Sequence, residues 1–287
     1  MAEAPHTLIL PERRSTGVVF ASPHSGRAYP ASFLRRSVLD AHSVRSSEDA
    51  FVDRLFDSAP RAGAPLLAAA IPRAYVDLNR GADELDPALI EGVSRQAPNP
   101  RVASGLGVIP RVVANGRAIY AGKITMAEAR DRIERCWRPY HAMLRDQLEQ
   151  AHRMFGQAIL IDCHSMPHEA LEAVARRGAR RPEIVLGDRF GAAADPEIVD
   201  RIEAAFCRAG LGVARNAPFA GAYVVQTYGR PGRGWHAVQI EIDRALYMNE
   251  RLIRPNTRFE AFRSLLAGVI DEIAAIGRAP PVSLAAE

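Results

Sequence analysis

The stretch from Ala158 to Ser165 reads AILIDCHS, and it sets the first expectation for the fold. Its first part, Ala158–Cys163, is a short apolar run of the kind that predicts a buried β-strand, and a His-Ser pair follows it. The segment Gly17–Ser25, GVVFASPHS, has the same pattern and ends in a second His-Ser pair. Because ligands gather at the carboxyl ends of strands in open α/β sheets, we expect His24 and His164 to meet in one site.

Strands and helices alternate along the rest of the chain. Further strands are predicted over Glu183–Leu186, Tyr223–Tyr228 and His236–Ile242, with an extended segment over Pro65–Leu78; helices are predicted after Ser46 or Ser47, from Thr125 toward Phe155 with a break at Pro139, from Asp195 to Gly210 and over Phe259–Ile273. The many glycines and prolines of residues 81–122 predict an elaborated loop with short strands such as Arg117–Tyr120. Interleaved strands and helices imply a three-layer α/β sandwich with a central, largely parallel sheet.

Composition limits the class of protein. The 287 residues are 48% hydrophobic and 24% charged, the balance of a folded globular chain, and the lack of a repeat or long linker predicts a single domain over residues 1–287. Three cysteines without C-x-x-C spacing favour a reducing compartment and argue against a thiolate zinc site. We find no secretory signal and no apolar run near the roughly 18 residues of a membrane span, so we expect a cytoplasmic protein.

The charge pattern raises an alternative, a protein that binds nucleic acid. The formal net charge is +4 and the pI is about 9.2. Arginine supplies nearly all of the basic residues, with Lys123 as the one lysine, a pattern that a GC-rich coding sequence produces whatever the function. The densest run, Ala175–Arg181, has four arginines but no aromatic residue on which a base could stack. A solvated loop is therefore favoured over a binding patch.

The two histidines suggest a metal site. Two histidines and one carboxylate are a standard set for a catalytic zinc ion. The nearest suitably placed acids, Glu48 and Asp49, begin the helix that follows His24, and Asp49 would complete a set with His24 and His164. Two simpler explanations stand beside this one. Histidines after strands often hydrogen-bond their own turns, and the helix dipole favours a carboxylate in the first turn without any metal.

The strand HAVQIEID, residues 236–243, contains a candidate general base. Its apolar residues predict a buried strand, yet Gln239, Glu241 and Asp243 interrupt it on the opposite face. Glutamate is almost never fully buried without a partner, so Glu241 is a candidate to take a proton from water at a hydrolytic site. The alternative is a salt-bridged strand at the edge of the sheet.

A third cluster lies in RAYVDLNR, residues 73–80. Strand alternation would put Arg73 and Asp77 on one face, with Asn79 and Arg80 at the strand's end. An arginine fork beside an amide suits the capture of a carboxylate. The alternative for each residue taken singly is an ordinary surface pairing, such as Arg73 with Asp77.

Six motifs in this order resemble the N-formylglutamate amidohydrolase family, which is related to the zinc carboxypeptidases and aspartoacylases. They are SPHSG (22–26), SSEDAFVDRLF (46–56), RAYVDLNR (73–80), LIDCHSMP (160–167), NAPFAGAYVVQTYG (216–229) and HAVQIEIDRALYMNE (236–250). The resemblance implies a zinc-carboxypeptidase-like α/β sandwich with a mixed sheet of about eight strands. It also implies one Zn²⁺ ion.

Residue roles follow from the same resemblance. By position, the zinc ligands are His24, Asp49 and His164, the general base is Glu241, and the substrate-binding residues are Arg73, Asn79, Arg80 and Tyr223. Adjacent Glu48 keeps the identity of the acidic ligand open. Ala222 stands where members often have a second glycine, which would cost backbone freedom in an active-site loop.

The implied activity is zinc-dependent hydrolysis of N-formyl-L-glutamate to formate and L-glutamate, a step of histidine degradation. The expected partner is a small N-acyl acidic amino acid rather than nucleic acid or a membrane, and the expected assembly is a monomer or small homo-oligomer. An amidohydrolase for another N-acyl amino acid or a short peptide is the alternative.

Overall fold

The computed structural model describes residues 4–94, 99–171 and 181–278, without the side chain of residue 115. The strands are β1 His6–Ile9, β2 Val18–Ser22, β3 Leu66–Ala69, β4 Ala158–Met166, β5 Ile184–Gly187, β6 Val213–Arg215, β7 Trp235–Asp243, β8 Met248–Asn249 and β9 Arg254–Pro255. The helices are α1 Ala31–Arg36, α2 Val52–Leu55, α3 Pro100–Ala103, α4 Met126–Arg132, α5 Arg138–Phe155, α6 Pro196–Arg208, α7 Tyr223–Tyr228 and α8 Phe259–Ile276. The arginine run over 175–181 lies outside the described residues, except for Arg181. No described helix has the length and apolar character needed to cross a membrane.

One mixed sheet organises the molecule, with the strand order β1-β3-β2-β4-β7-β5-β6. Four of the six neighbouring pairs are parallel, and the pairs β1–β3 and β5–β7 are antiparallel. The prediction of a mixed, largely parallel sheet is confirmed. The expectation of about eight strands is wrong for the described residues, because this sheet has seven and the predicted strand over Tyr223–Tyr228 is helix α7.

Side chains alternate between the two faces of the sheet and feed two cores. In β2, Val18 and Phe20 enter a core covered by α2, α6 and α8. Val19 and Ala21 enter the other core, which is covered by α4, α5, α7 and the irregular region between β3 and α4. The three-layer arrangement predicted from the alternation of strands and helices is therefore confirmed.

The three strands that carry the chemically interesting motifs are neighbours at the centre of the sheet. Strand β4 pairs in parallel with β2 on one side and with β7 on the other. Strand β7 then pairs with β5, so it is an interior strand and the edge-strand alternative for HAVQIEID is wrong. His164 lies inside β4 rather than after it, and its register partner on β7 is Glu241.

The segment predicted to be extended, Pro65–Leu78, is a strand only over β3 and then turns. Pro72 has no N–H to donate to a sheet, and the side chain of Asp77 accepts a hydrogen bond from the amide of Asn79 at 2.8 Å. The alternation assumed for residues 73–80 is therefore wrong, since Arg73 and Asp77 meet across a turn.

Helix α7 replaces a predicted strand for a reason that lies elsewhere in the chain. The sequence YVVQTY is rich in β-branched and aromatic residues, which favour strands. Its second amide, from Val224, instead donates to the side-chain oxygen of Asn79 at 2.8 Å. The face formed by Val224, Val225 and Tyr228 packs into the second core, so tertiary contacts override the local preference.

The loop before α2 is longer than predicted. The helix begins at Val52 after Phe51, whose φ of 69° lies in the left-handed region, and neither Ser46 nor Ser47 caps it. Glu48 and Asp49 therefore lie in a loop and not in a first helical turn. A helix dipole does not explain their presence.

Two other expectations concern the loop over residues 81–122 and the helix that contains Pro139. In the described part of residues 81–122 only short helical turns such as α3 interrupt the loop, and Arg117–Tyr120 takes part in isolated bridges rather than a strand. The break expected at Pro139 is present as a π-helical turn, Ile133–Trp137, between α4 and α5. A proline there cannot donate to the preceding turn, which explains the change of helix type.

Candidate active site

His24, Asp49 and His164 form one buried cluster. One ligand atom from each residue lies within 4.8 Å of the other two, and no more than 3% of any of the three residues is exposed. The Oδ2 atom of Asp49 lies 3.4 Å from Nδ1 of His24 and 3.0 Å from Nδ1 of His164. The sequence-predicted ligand set is therefore brought together in space.

A tight turn after β2 places His24. Gly26 packs so closely on the next segment that a Cβ atom there would lie 1.9 Å from the carbonyl oxygen of Ile71. His24 turns Nε2 toward Oδ1 of Asp77 at 2.7 Å, and Nδ1 has no hydrogen-bond partner within the described residues. An orphaned imidazole nitrogen aimed at a carboxylate and a second histidine is what a metal ligand requires.

Strand β4 places His164, whose two ring nitrogens face the same kinds of group as those of His24. Its Nδ1 faces Asp49, and its Nε2 lies 3.0 Å from Oδ2 of Asp162 and 3.1 Å from Nδ2 of Asn79. Residues two apart on a strand share a face, which explains why Asp162 reaches the imidazole. Each histidine thus has a carboxylate behind it, the arrangement that orients histidine ligands in metal sites.

The two adjacent acids have different surroundings. The Oδ1 atom of Asp49 accepts from Arg244 at 2.9 Å, which leaves Oδ2 for the histidines. Glu48 turns away and accepts from Arg45 at 2.9 Å and from the Tyr29 hydroxyl at 2.7 Å. Asp49 is therefore in the cluster and Glu48 is not.

Electrostatics favour a cation at this point. Burial alone would raise the pKa of Asp49, but the hydrogen-bonded imidazole of His164 and the nearby imidazole of His24 hold it well below its ordinary value. Burial would likewise raise the pKa of Asp77, and Arg73 and His24 lower it. Burial lowers the pKa of His164, yet Asp162 and Asp49 outweigh burial and raise it well above the usual range. Carboxylates that raise the pKa of an imidazole place negative charge in the cluster, and a divalent metal ion can take the place of the bound proton.

Glu241 lies beside the cluster on β7. Glu241 pairs with His164 in the register of the sheet, and its Oε1 accepts from Nε2 of Gln239 at 2.8 Å. Burial raises its pKa to about 7; nearby Asp49 raises it further, whereas His164 and Arg244 lower it. A carboxylate with a pKa near neutrality can both accept and release a proton at physiological pH.

A cavity of about 550 Å³ contains the cluster and Glu241, and three of the four predicted substrate-binding residues line it. Arg73 forms an ion pair with Asp77 at 3.0 Å. Arg80 donates to the backbone carbonyls of Leu106 and Asn79 at 2.9 and 2.7 Å. Arg73 thus contacts the carboxylate that holds His24, whereas the described hydrogen bonds of Arg80 go to backbone carbonyls.

The segment before α7 closes one side of the cavity. Ala222 lines it with an ordinary φ of −112°, so the alanine is not strained there. Its amide donates to Oε1 of Gln239 at 3.2 Å. Tyr223 lies outside this cavity, and its ring packs against Trp137 and His141.

The roles of four residues in the site were not predicted from the sequence. Asp77 and Asp162 support the two histidines, Gln239 contacts Glu241, and Arg244 holds Asp49. For Asp162 and Gln239 a signal existed, since each is a polar residue two positions before a candidate site residue in an apolar strand. Arg244 contacts Asp49 over a separation of 195 residues, which no local pattern reveals.

The fold and the site together define the class of the protein. A buried cluster of two imidazoles and one carboxylate shares a cavity with a further carboxylate, at the carboxyl end of a mixed sheet between helical layers. A possible metal-binding triad beside a carboxylate is typical of metal-dependent hydrolases.

Comparison with known proteins is consistent with that class and narrows it. The family model described as N-formylglutamate amidohydrolase matches residues 16–248, and the chain therefore belongs to this family. The chain is 30% identical over 276 residues to the N-formylglutamate deformylase of Pseudomonas aeruginosa. This match covers 93% of this chain and 96% of that protein. It is also 30% identical over 236 residues to the N-formylglutamate deformylase of Pseudomonas putida, covering 81% and 82%.

Two solved structures have the same fold over nearly the whole chain. The crystal structure of an N-formylglutamate amidohydrolase from Ralstonia eutropha JMP134 has 39% sequence identity and a TM-score of 0.89, over 96% of this chain and 98% of that chain. The structure of the gene product Atu2144 from Agrobacterium tumefaciens has the same fold, with 16% identity and a TM-score of 0.67 over 96% of this chain and 94% of that one.

Proposed function

We propose that this chain hydrolyses the N-formyl amide of N-formyl-L-glutamate to formate and L-glutamate with a bound zinc ion. The observation that carries the proposal is the cavity in which the His24, Asp49 and His164 cluster faces Glu241, in a chain of the N-formylglutamate amidohydrolase family. Relatives named N-formylglutamate deformylase support the choice of substrate. The wider alternative is another N-acyl amino acid on the same site.

Three donor atoms would hold the metal: Nδ1 of His24, Nδ1 of His164 and Oδ2 of Asp49. Two nitrogen ligands and one oxygen ligand leave a position open, which is the pattern of catalytic zinc rather than structural zinc. Asp77 and Asp162 would fix the tautomers, because each accepts the proton on the far nitrogen of its histidine. When bound, zinc would polarise the formyl carbonyl and acidify water.

Glu241 is the proposed general base. Its carboxylate accepts a proton as water adds to the formyl carbon, and it donates that proton to the amine nitrogen as the C–N bond breaks. The side-chain amide of Gln239 donates to one carboxylate oxygen at 2.8 Å, and this bond fixes the carboxylate of a residue that lines the cavity. A raised pKa suits both halves of this task, because the group must release the proton it has accepted.

The predicted substrate-binding residues divide into two kinds. Arg73 and Arg80 line the cavity and can hold a carboxylate of the substrate. The side chain of Asn79 is engaged at both ends, because its oxygen accepts from the backbone amide of Val224 at 2.8 Å and its nitrogen donates to Asp162 at 3.4 Å, so we assign it a positioning role. Tyr223 packs outside the cavity, where it can support the start of α7 but does not reach the cluster.

The direct test is an assay of formate release from N-formyl-L-glutamate with purified protein, coupled to elemental analysis of its metal. We expect about one zinc per chain, loss of activity after chelation and recovery with added zinc. Release of acetate from N-acetylglutamate at a higher kcat/KM would favour the wider alternative. A metal-free protein that binds oligonucleotides with steep salt dependence would favour the nucleic-acid alternative.

A further inference from the structure

Two arginines on one wall of the cavity are joined through a single residue. The Nε atom of Arg80 donates to the carbonyl oxygen of Leu106 at 2.9 Å, and the amide of Leu106 donates to the carbonyl oxygen of Arg101 at 2.8 Å. Asn99 caps α3 by accepting from the amide of Arg101 at 3.0 Å, and it donates to Glu84 at 3.0 Å. These bonds fix the backbone of Arg101 relative to Arg80, and both side chains line the cavity.

The arginines of the cavity differ in whether a carboxylate neutralises them. Arg73 and Arg244 each form an ion pair with an aspartate, at 3.0 and 2.9 Å. Within the described part of the chain, neither Arg80 nor Arg101 forms an ion pair, and Arg80 donates to backbone carbonyls instead. The cavity therefore presents two cationic side chains without an acidic partner.

These two charges lie within electrostatic reach of each other. Burial lowers the pKa of Arg80; Asp77 opposes that effect, while the charges of Arg73 and Arg101 lower the pKa further. Two like charges on one wall favour an anion that can contact both of them. Apolar side chains, among them Val112 and Val113, line the cavity as well and suit a short methylene chain.

We propose that Arg101 binds the side-chain carboxylate of the substrate and thereby selects acidic over neutral N-acyl amino acids. This inference rests on the proposed function. An N-acylglutamate carries two carboxylates, and two arginines of the cavity lack an acidic partner. Arg80 follows Asn79, which contacts His164, so Arg80 is next to the reacting end. Arg101 is then left for the carboxylate farther from the scissile amide.

The test compares kcat/KM for N-formyl-L-glutamate and N-formyl-L-glutamine, which have the same shape but differ in charge. In Arg101→Gln, the preference for the acid falls about 10- to 100-fold, the range of one charge-assisted hydrogen-bonded pair. Calorimetry of product binding adds a readout that is independent of turnover. In the variant, the affinity for L-glutamate should fall toward the affinity for L-glutamine. Arg101→Glu should raise kcat/KM for N-formyl-L-lysine above that of wild type.

Arg130→Gln is the matched control, because it removes the same charge from an exposed position on α4 away from the cavity. It retains the wild-type preference. If Arg101→Gln also retains it while wild type cleaves N-formylglutamate, the inference is overturned and the proposed function stands. If wild type does not cleave N-formylglutamate, the proposed function fails and this inference fails with it.

Discussion

The cavity has two walls that are built in different ways. The strand wall consists of His24, His164 and Glu241, at the carboxyl ends of β2, β4 and β7, together with Asp49 from the loop before α2. The loop wall, from the irregular region between β3 and α4, consists of Arg80, Arg101, Leu106, Val112 and Val113. Every residue of the strand wall is buried, and described side chains or the sheet fix each one. The loop wall contains an exposed arginine, Arg101. Hydrogen bonds from Arg80 and Leu106 to backbone carbonyls hold this wall together.

This difference separates the chemistry from the choice of substrate. Side chains on interior strands move little, which keeps metal ligands and a base in fixed geometry at a small cost in reorganisation. Loops accept substitutions more easily, so a wall built from a loop can change its charge without disturbing the sheet. We therefore expect large effects from the strand wall and smaller ones from the loop wall.

Removal of a ligand from the strand wall should have the largest effect. His164→Ala takes away one of three metal ligands, so metal affinity should fall by more than about 100-fold, beyond the loss typical for a residue behind a ligand. Elemental analysis after dialysis measures this. His168→Ala is the control, since His168 follows the same strand but pairs with Asp243. Full occupancy in His164→Ala would rule out the proposed ligand set.

Removal of the base should have the next largest effect. Glu241→Gln preserves shape and removes basicity, so kcat should fall by about 10²–10⁴ while the metal stays bound. Single-turnover kinetics together with metal content separates these two properties. Turnover close to that of wild type would assign the proton transfer to another group.

A partner behind a ligand should matter less. Asp162→Asn leaves the shape of the side chain but removes the carboxylate at 3.0 Å from His164, so metal affinity should fall by about 10- to 100-fold. Glu48→Gln is the control, because Glu48 is a buried acid whose bonds go to Arg45 and Tyr29. Competition with a chelator measures both variants, and equal affinities would show that Asp162 does not support the ligand.

The pH dependence should be the smallest of these effects. Burial raises the pKa of Glu241 to about 7, and the base must be ionised to accept a proton. Activity should therefore fall about tenfold per pH unit as the pH drops below the pKa of this group, and a bound cation would shift that limb to lower pH. The kcat/KM profile of wild type gives the limb, which should be absent from Glu241→Gln. An unchanged limb in the variant would assign it to another group.

The strand wall could largely be predicted from the sequence because burial leaves a periodic signal. A continuous apolar run marks β4, alternating apolar residues mark the second half of β7, and polar residues that interrupt them, such as His164 and Glu241, line the site. The resemblance to a family then supplied roles that periodicity cannot. The sequence placed Asp49 in the right cluster but at the start of a helix, whereas that helix begins only at Val52.

The loop wall could not be predicted in the same way. The side chain of Asp77 accepts from the backbone amide of Asn79. The side-chain oxygen of Asn79 accepts from the backbone amide of Val224, 145 residues away, at the start of α7. Such bonds decide the local structure of residues 70–80 and of 223–228 without any repeat in the sequence. Arg101 escaped attention for the same reason, since its only distinction is its place beside Leu106 in the folded chain.

The direct measurement is anomalous diffraction at the zinc absorption edge from crystals of the full chain grown with zinc. We predict one strong peak, at about 2.0–2.2 Å from Nδ1 of His24, Nδ1 of His164 and Oδ2 of Asp49. Glu241 should face the peak without contributing a ligand atom. A peak bound by Glu48, or a fully occupied zinc site away from the His24, Asp49 and His164 cluster, would contradict the proposed centre.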